Sequence, residues 1–317
     1  MFKDIFIIVF GIVFLVLGAN QLIKGASNIA KKMNISNIII GLTIVSLGTS
    51  LPELIVTIIS ATKGTTDLII GNILGSNVCN LLLILGIMAI IKSVEIDGKT
   101  RKIHIPILVI VTVLVFLMGL GILIGEKLKI VRIDGIILLI LGILYFGYTI
   151  YEGLKDKNVS KIQDEKSKSN LINSLINILI GSMLLKYGGD FVVDAATSIA
   201  TQLNISERVI GLTIIGIGTS LPELTTSIIA LIKHDDEIAV GNIIGSCIMN
   251  LLLILGTGAI ISNLDFGYSF NQTIFLLIAS TILIWLYSMA EENKKLNRHN
   301  GIVLIAIFAL YFLKLFI

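Results

Sequence analysis

The chain has 317 residues, 55% of them hydrophobic and 14% charged, with a mean hydropathy of +0.99. A soluble domain carries about 25% charged residues, so this balance excludes that class and makes the bilayer the solvent to reason from. The net charge of +3 is modest and its basic residues fall mainly between apolar runs, so nucleic acid is not implied as a partner.

Runs able to cross about 30 Å of hydrocarbon as helices are predicted near 5–23, 38–59, 69–91, 105–124, 135–151, 171–193, 209–231, 238–261, 273–290 and 301–317. They are continuously apolar rather than alternating with period two, which selects helices over a barrel. The first run lacks a strongly basic leader and a small-residue cleavage site, and reads as a mature span. The second carries Gly48-Thr49-Ser50 and then Pro52-Glu53; the third carries Asn72, Ser76 and Asn80. Glu152 to Asn170 is polar and charge-mixed, as expected of a solvent-exposed linker. Beyond it the pattern recurs.

A constant offset of 170 aligns SNIIIGLTIVSLGTSLPEL from Ser36 with SERVIGLTIIGIGTSLPEL from Ser206, identical at 13 of 19 positions. It also aligns GNILGSNVCNLLLILG from Gly71 with GNIIGSCIMNLLLILG from Gly241. Shared Ile and Leu could follow from hydrophobic bias, but not the pairs Thr49/Thr219, Ser50/Ser220, Pro52/Pro222, Glu53/Glu223, Asn72/Asn242, Ser76/Ser246 and Asn80/Asn250. The expected fold is therefore all-α and integral to the membrane. Residues 1–151 form a first five-helix repeat, 152–170 a cytoplasmic linker and 171–317 a second five-helix repeat.

Five is odd, so the second repeat enters the membrane from the opposite side, and ten transmembrane helices form two inverted halves. With both termini extracellular, the cytoplasmic connections collect most of the Lys and Arg, among them Lys31, Lys32, Lys92, Lys102 and the linker lysines. Arg101 falls in one of these connections.

Glu53 and Glu223 decide the chemistry. A carboxylate in mid-span costs at least a few kcal/mol and needs a role and a partner. A buried ion pair is the bland alternative, yet only Lys186 is a basic residue well inside a span, and it cannot serve both. Pro52 and Pro222 have no N–H for the carbonyls of Gly48 and Gly218, so each helix should break there and free backbone oxygens.

Asn72, Ser76 and Asn80 recur at i, i+4 and i+8, as do Asn242, Ser246 and Asn250, each set making one polar stripe. For Asn72 and Asn242, interhelical hydrogen bonding is an equal alternative to ion contact. Gly71, Gly75, Gly241 and Gly245 read as points of close helix approach. Such hard oxygen ligands suit Na⁺, Ca²⁺ or K⁺ and disfavour zinc, copper or iron. Cys79 and Cys247 read as small core residues, and His104, His234 and His299 as solvated loop histidines.

Paired GTSLPEL and GNILGSN/GNIIGSC segments in inverted five-helix halves resemble the alpha repeats of the sodium/calcium exchanger family. The resemblance implies ten helices, the second and third of each half surrounding the site and the first of each half sliding to open either face. It implies no cofactor, Na⁺ and Ca²⁺ as transported substrates, the lipid bilayer as partner, and a monomer as functional unit. Its ion ligands fall on Glu53 and Glu223, with Thr49, Ser50, Thr219 and Ser220 beside them. Ser76 and Ser246 complete the outer and inner sodium positions, Asn80 and Asn250 line the middle, and the carbonyls of Ser46 and Gly216 add further sodium ligands. Some relatives carry Asp at the position of Asn250; Asn here implies potassium independence. The linker is also too short for a folded calcium-sensing domain.

The expectation is a cell-membrane Na⁺/Ca²⁺ antiporter, not an enzyme. A Ca²⁺/H⁺ antiporter and, behind it, an uncoupled cation channel are the alternatives. Replacing Asn250 by Asp is expected to change ion preference without loss of folding, checked by comparing calcium fluxes in Na⁺ and K⁺ gradients.

Overall fold

The computed structural model describes residues 2–122, 128–155, 170–203, 216–290 and 295–314. Helix α1 spans Phe2–Met33. Helices α2 (Asn37–Thr49) and α3 (Leu51–Lys63) are bent by 47° at their junction and pass as one broken span. Next come α4 (Thr66–Ile91) and α5 (Thr100–Gly119), then α6 (Arg132–Lys155) and α7 (Leu171–Gln202). The short α8 (Gly216–Gly218) precedes α9 (Leu221–Ile232). The chain continues through α10 (Asp236–Ile261), α11 (Asn271–Ala290) and α12 (Arg298–Lys314).

Among the described residues, seven helices are long and apolar enough to cross a membrane, or eight if the bent pair counts as one span. Part of the expected 209–231 span, and most of the 152–170 linker, lie outside the described residues. The expected 105–124 span ends early, because Gly121 takes a left-handed φ of 69° just past α5.

Burial sorts the helices into centre and rim. In their most apolar stretches α10 is 94% and α4 78% buried, against 28% for α1 and α7. Phe2, Phe6, Ile172 and Met183 on the rim helices are exposed, as side chains meant for lipid are.

Glycine decides how close the rim pair comes. A Cβ on Gly11 would lie 2.8 Å from the Gly188 carbonyl, and one on Gly18 2.8 Å from that of Gly181. Low numbers on α1 therefore meet high numbers on α7, and the two run antiparallel with backbones in contact. Gly11 and Gly181 are related by the 170 offset, as are Gly18 and Gly188, so each glycine packs on the counterpart of the other. Gly135 against Gly256 joins α6 to α10, and Gly86 against Gly301 joins α4 to α12.

At the centre, α2 lies along α10. Would-be Cβ atoms on Gly241 and Gly245 come 2.7 Å from the Ile38 carbonyl and 2.5 Å from the Leu42 carbonyl. Ser36 gives no side-chain cap to α2; instead Glu237 of α10 accepts from the Ile38 N–H at 3.1 Å and Asp235 accepts from Asn37 at 2.9 Å. Burial raises the Asp235 carboxyl above the usual aspartate range, with the bonds from Ile238 and Asn37 opposing it.

Two short antiparallel ribbons tie distant parts of the chain: β1 (Val94–Glu95) with β4 (Lys295–Leu296), and β2 (Lys129–Ile130) with β3 (Leu264–Asp265). Helices α3 and α9 stop alike, in left-handed turns at Gly64 (φ 75°) and His234 (φ 61°), positions again 170 apart.

Two expectations need correction. His104 is not a solvated loop residue: it is fully buried in α5, and its Nδ1 is 2.9 Å from the Tyr145 hydroxyl. Arg101 is likewise in the first turn of α5, buried and donating to the Ser288 carbonyl. Hydropathy placed both in a connection because polar side chains lower the local average even where neighbouring helices enclose them. His234 and His299 are exposed as expected, and Cys79 and Cys247 are free and buried.

Gly18→Ala should force α1 from α7 and destabilise by about 1–3 kcal/mol. Gly147→Ala, whose Cβ meets nothing within 4 Å, should stay within about 1 kcal/mol of the parent. Thermal unfolding in detergent distinguishes them.

Candidate functional site

The helix breaks are set by proline at the second position of the following helix. Ser50 (φ −87°, ψ 8°) separates α2 from α3, and Ser220 (φ −90°, ψ 5°) precedes α9. Both leave the helical region at the same point of the duplicated motif, one residue ahead of Leu-Pro-Glu. Glu53 and Glu223 consequently sit in the first turns of α3 and α9, where the positive end of the helix dipole favours a carboxylate.

Both acids are at most 1% exposed. Among the described residues no salt bridge reaches either one. Lys186, the basic residue weighed as a partner, pairs with Asp190 one turn along α7. Both oxygens of Glu53 and Oε2 of Glu223 are buried without a hydrogen-bond partner.

Hydroxyls from both halves converge on the remaining oxygen. Ser50 donates to Glu223 Oε1 at 3.1 Å and Ser246 at 3.5 Å. Thr49 lies 3.4 Å from Ser246, and its counterpart Thr219 lies 3.3 Å from Ser76. These two contacts interchange under the 170 offset, so each broken helix meets the polar stripe of the other half. Asn80, Ser220 and Asn250 are buried too. Asn80 has neither amide atom partnered, and Asn250 Oδ1 and Ser220 Oγ are also unpartnered. Wide π-type turns over Cys79–Ile84 and Asn250–Ile254 include these asparagines, a local widening frequent at functional sites.

Some predicted ligands are already engaged. The Ser46 carbonyl accepts from Ser50 N–H at 2.9 Å and from Thr49 Oγ1 at 3.3 Å, so an ion held there would compete with these bonds. Gly216 is the first residue of α8. Asn242 follows the hydrogen-bonding alternative, accepting from Thr49 at 3.1 Å and donating to Ser227 at 2.9 Å. Asn72 is half-buried with its amide nitrogen unpartnered.

Asn77 was passed over in the sequence because it lies off the i, i+4, i+8 stripe. It is fully buried, donates to the Cys247 carbonyl at 3.1 Å and accepts from Asn250 at 2.9 Å. The available signal was the mismatch between copies, Asn77 against Cys247. Among the described residues no group of three or more His, Cys, Asp and Glu could hold a metal; the candidate centre offers two carboxylates with hydroxyl and amide oxygens. Beside it a cavity of about 100 Å³ is lined by Pro52, Pro222, Thr219, Lys186, Asp190 and Asp194 among others.

Buried acids without a basic side-chain partner among the described residues, set on broken helices inside an apolar multi-helix chain, define a membrane transporter of small cations. The sequence profile described as "Sodium/calcium exchanger protein" matches residues 3–151 and 173–316, and the chain belongs to that family. It is 35% identical to the "Putative antiporter CaxA" of Alkalimonas amylolytica, over 97% of this chain and 96% of that protein. To the "Sodium/calcium exchanger MaX1" of Methanosarcina acetivorans it is 28% identical, over 98% and 97%. The structure of the sodium-calcium exchanger NCX_Mj soaked with Na⁺ and Sr²⁺ superposes with a TM-score of 0.82 at 30% identity, over 97% of this chain and 96% of that one. As a family member the chain is a cation/Ca²⁺ antiporter that uses no cofactor, rather than an enzyme.

Ser50→Ala removes both a candidate ligand oxygen and a hydrogen bond to the Glu223 carboxylate, worth about 1.5–3 kcal/mol. Calcium binding is expected to weaken about tenfold or more with the fold retained, measured as a smaller calcium-induced rise in Tm.

Proposed function

We propose that the chain exchanges Na⁺ for Ca²⁺ across the cell membrane by alternating access, independently of potassium. The ligands are Glu53 and Glu223 with Thr49, Ser50, Ser76, Asn80, Thr219, Ser220, Ser246 and Asn250, joined by the carbonyls of Ser46 and Gly216. The observation that carries this reading is the burial of Glu53 and Glu223 with three of their four oxygens unpartnered. Two carboxylates balance one Ca²⁺, and the same oxygens can be shared among Na⁺ ions. The two cargoes therefore compete for one centre. An empty centre keeps two negative charges in the membrane interior, which opposes its crossing unloaded.

Ten spans in two inverted halves, 1–151 and 171–317 around the 152–170 linker, accommodate this centre. The antiparallel contact of α1 and α7, and the exchange of Thr49–Ser246 with Thr219–Ser76, support a two-fold relation between the halves. So does the separate matching of 3–151 and 173–316 to the family profile. Both halves of one chain supply the centre, which supports a monomer as the working unit. The α1/α7 face, close-packed at glycine and flanked by Phe10, Phe14 and Phe191, is the one that sliding of the first helix of each half would use. The positive-inside bias of the loops supports extracellular termini. Neutral Asn at both 80 and 250 supports potassium independence, since added K⁺ would need a further compensating charge.

The experiment is calcium uptake into vesicles driven separately by a sodium gradient and by a pH gradient. Uptake is expected to follow sodium and to be indifferent to potassium; uptake that follows pH alone would establish the proton-coupled alternative, and flux indifferent to both would favour a channel. Glu53→Gln and Glu223→Gln should each abolish uptake while leaving folded, extractable protein.

A further inference from the structure

The two copies of the second motif differ at one buried polar position, Asn77 in the first and Cys247 in the second. We infer that Asn77 is a positioning residue that fixes the orientation of the Asn250 amide and so presents Asn250 Oδ1 to the transported cation. The inference deepens the proposed function and rests on it.

A backbone carbonyl can only accept. The carbonyl of Cys247, 3.1 Å from Asn77, therefore selects the nitrogen end of that amide. The planar amide then turns its oxygen toward Asn250, whose nitrogen donates to it at 2.9 Å. With its nitrogen committed, Asn250 directs its oxygen elsewhere, and that oxygen is buried without a partner. Flipping Asn250 alone would set two acceptors 2.9 Å apart, and flipping both would set the Asn77 oxygen against the Cys247 carbonyl. Both asparagines are 0% exposed, so no solvent relieves either clash. A chain of two hydrogen bonds, anchored on one carbonyl, leaves one arrangement.

The other half carries only a weaker version of this chain. The position equivalent to Asn77 is Cys247, whose thiol lies 4.0 Å from the Asn77 carbonyl and sits beside Asn80, and neither amide atom of Asn80 makes a full hydrogen bond. A thiol is a weak donor and a weak acceptor, so Asn80 is held less firmly than Asn250, which arrives as an oxygen ligand. A hard divalent cation gains from an oxygen that needs no reorientation. The two halves of the duplicated site are thus unequal, with the fixed ligand on the α10 side.

The test uses the full chain in vesicles and reads calcium KM and maximal rate for Asn77→Leu, and for Asn77→Cys, the residue the second half tolerates at this position. Calcium KM should rise about tenfold, the scale of one lost hydrogen bond near a charged ligand, with maximal rate largely kept. Added to Asn250→Leu, Asn77→Leu should raise KM little further; added to Asn80→Leu it should act in full. An unchanged KM, equal effects in both backgrounds, or loss of folded protein in both single variants would overturn the inference. A parent chain without sodium-driven uptake would instead defeat the exchange reading. The calcium-induced rise in Tm would then decide for Asn77: its loss in Asn77→Leu supports the positioning role, and its retention overturns it.

Discussion

Two carboxylates held out of water without a countercharge are the constraint around which the rest of the chain is arranged. Transferring one ionised group into a membrane interior costs several kcal/mol even after the surroundings relax. Ser50, three residues ahead of Glu53, donates to Glu223, so the chain around one acid reaches the other. The protein relieves the cost partially, through helix N-termini behind both acids and hydroxyls from Ser50 and Ser246 on one oxygen of Glu223. On the proposed function, what remains unrelieved is what a bound cation supplies, and cargo binding and charge balance are then one event.

The architecture follows from delivering two such acids to one place. Each needs a broken helix, and a broken helix exposes backbone groups that hydrocarbon cannot satisfy. The breaks accordingly pack against the two most buried helices, α4 and α10. Pairing each broken helix with the stripe of the other half makes the centre a product of both copies. Neither half is complete alone, and a duplicated sequence becomes a single site.

Glycine performs two distinct tasks. At Gly241 and Gly245 it lets α2 lie directly on α10, which brings Thr49 and Ser50 to the Glu223 side. At Gly11, Gly18, Gly181 and Gly188 it brings the backbones of α1 and α7 into contact at the rim. The first contact is backed by the ties of Asp235 and Glu237 to the start of α2; the second joins two helices whose outer faces are mostly open to lipid.

The sequence by itself determined the class of solvent, the duplication, the two helix breaks and the identity of the acids. These follow from composition and covalent structure: apolar runs of fixed length, prolines without an N–H, and carboxylates with no basic residue to match. It could not decide contacts between residues far apart in the chain. The burial of Arg101 and His104, the engagement of the Ser46 carbonyl and the bonding of Asn242 depend on what another helix places beside them. Asn77 is the clearest case, since its role exists only because the Cys247 carbonyl, 170 residues away in the sequence, faces its amide. A hydrogen bond needs both partners in place, and only the tertiary structure fixes where the second one stands.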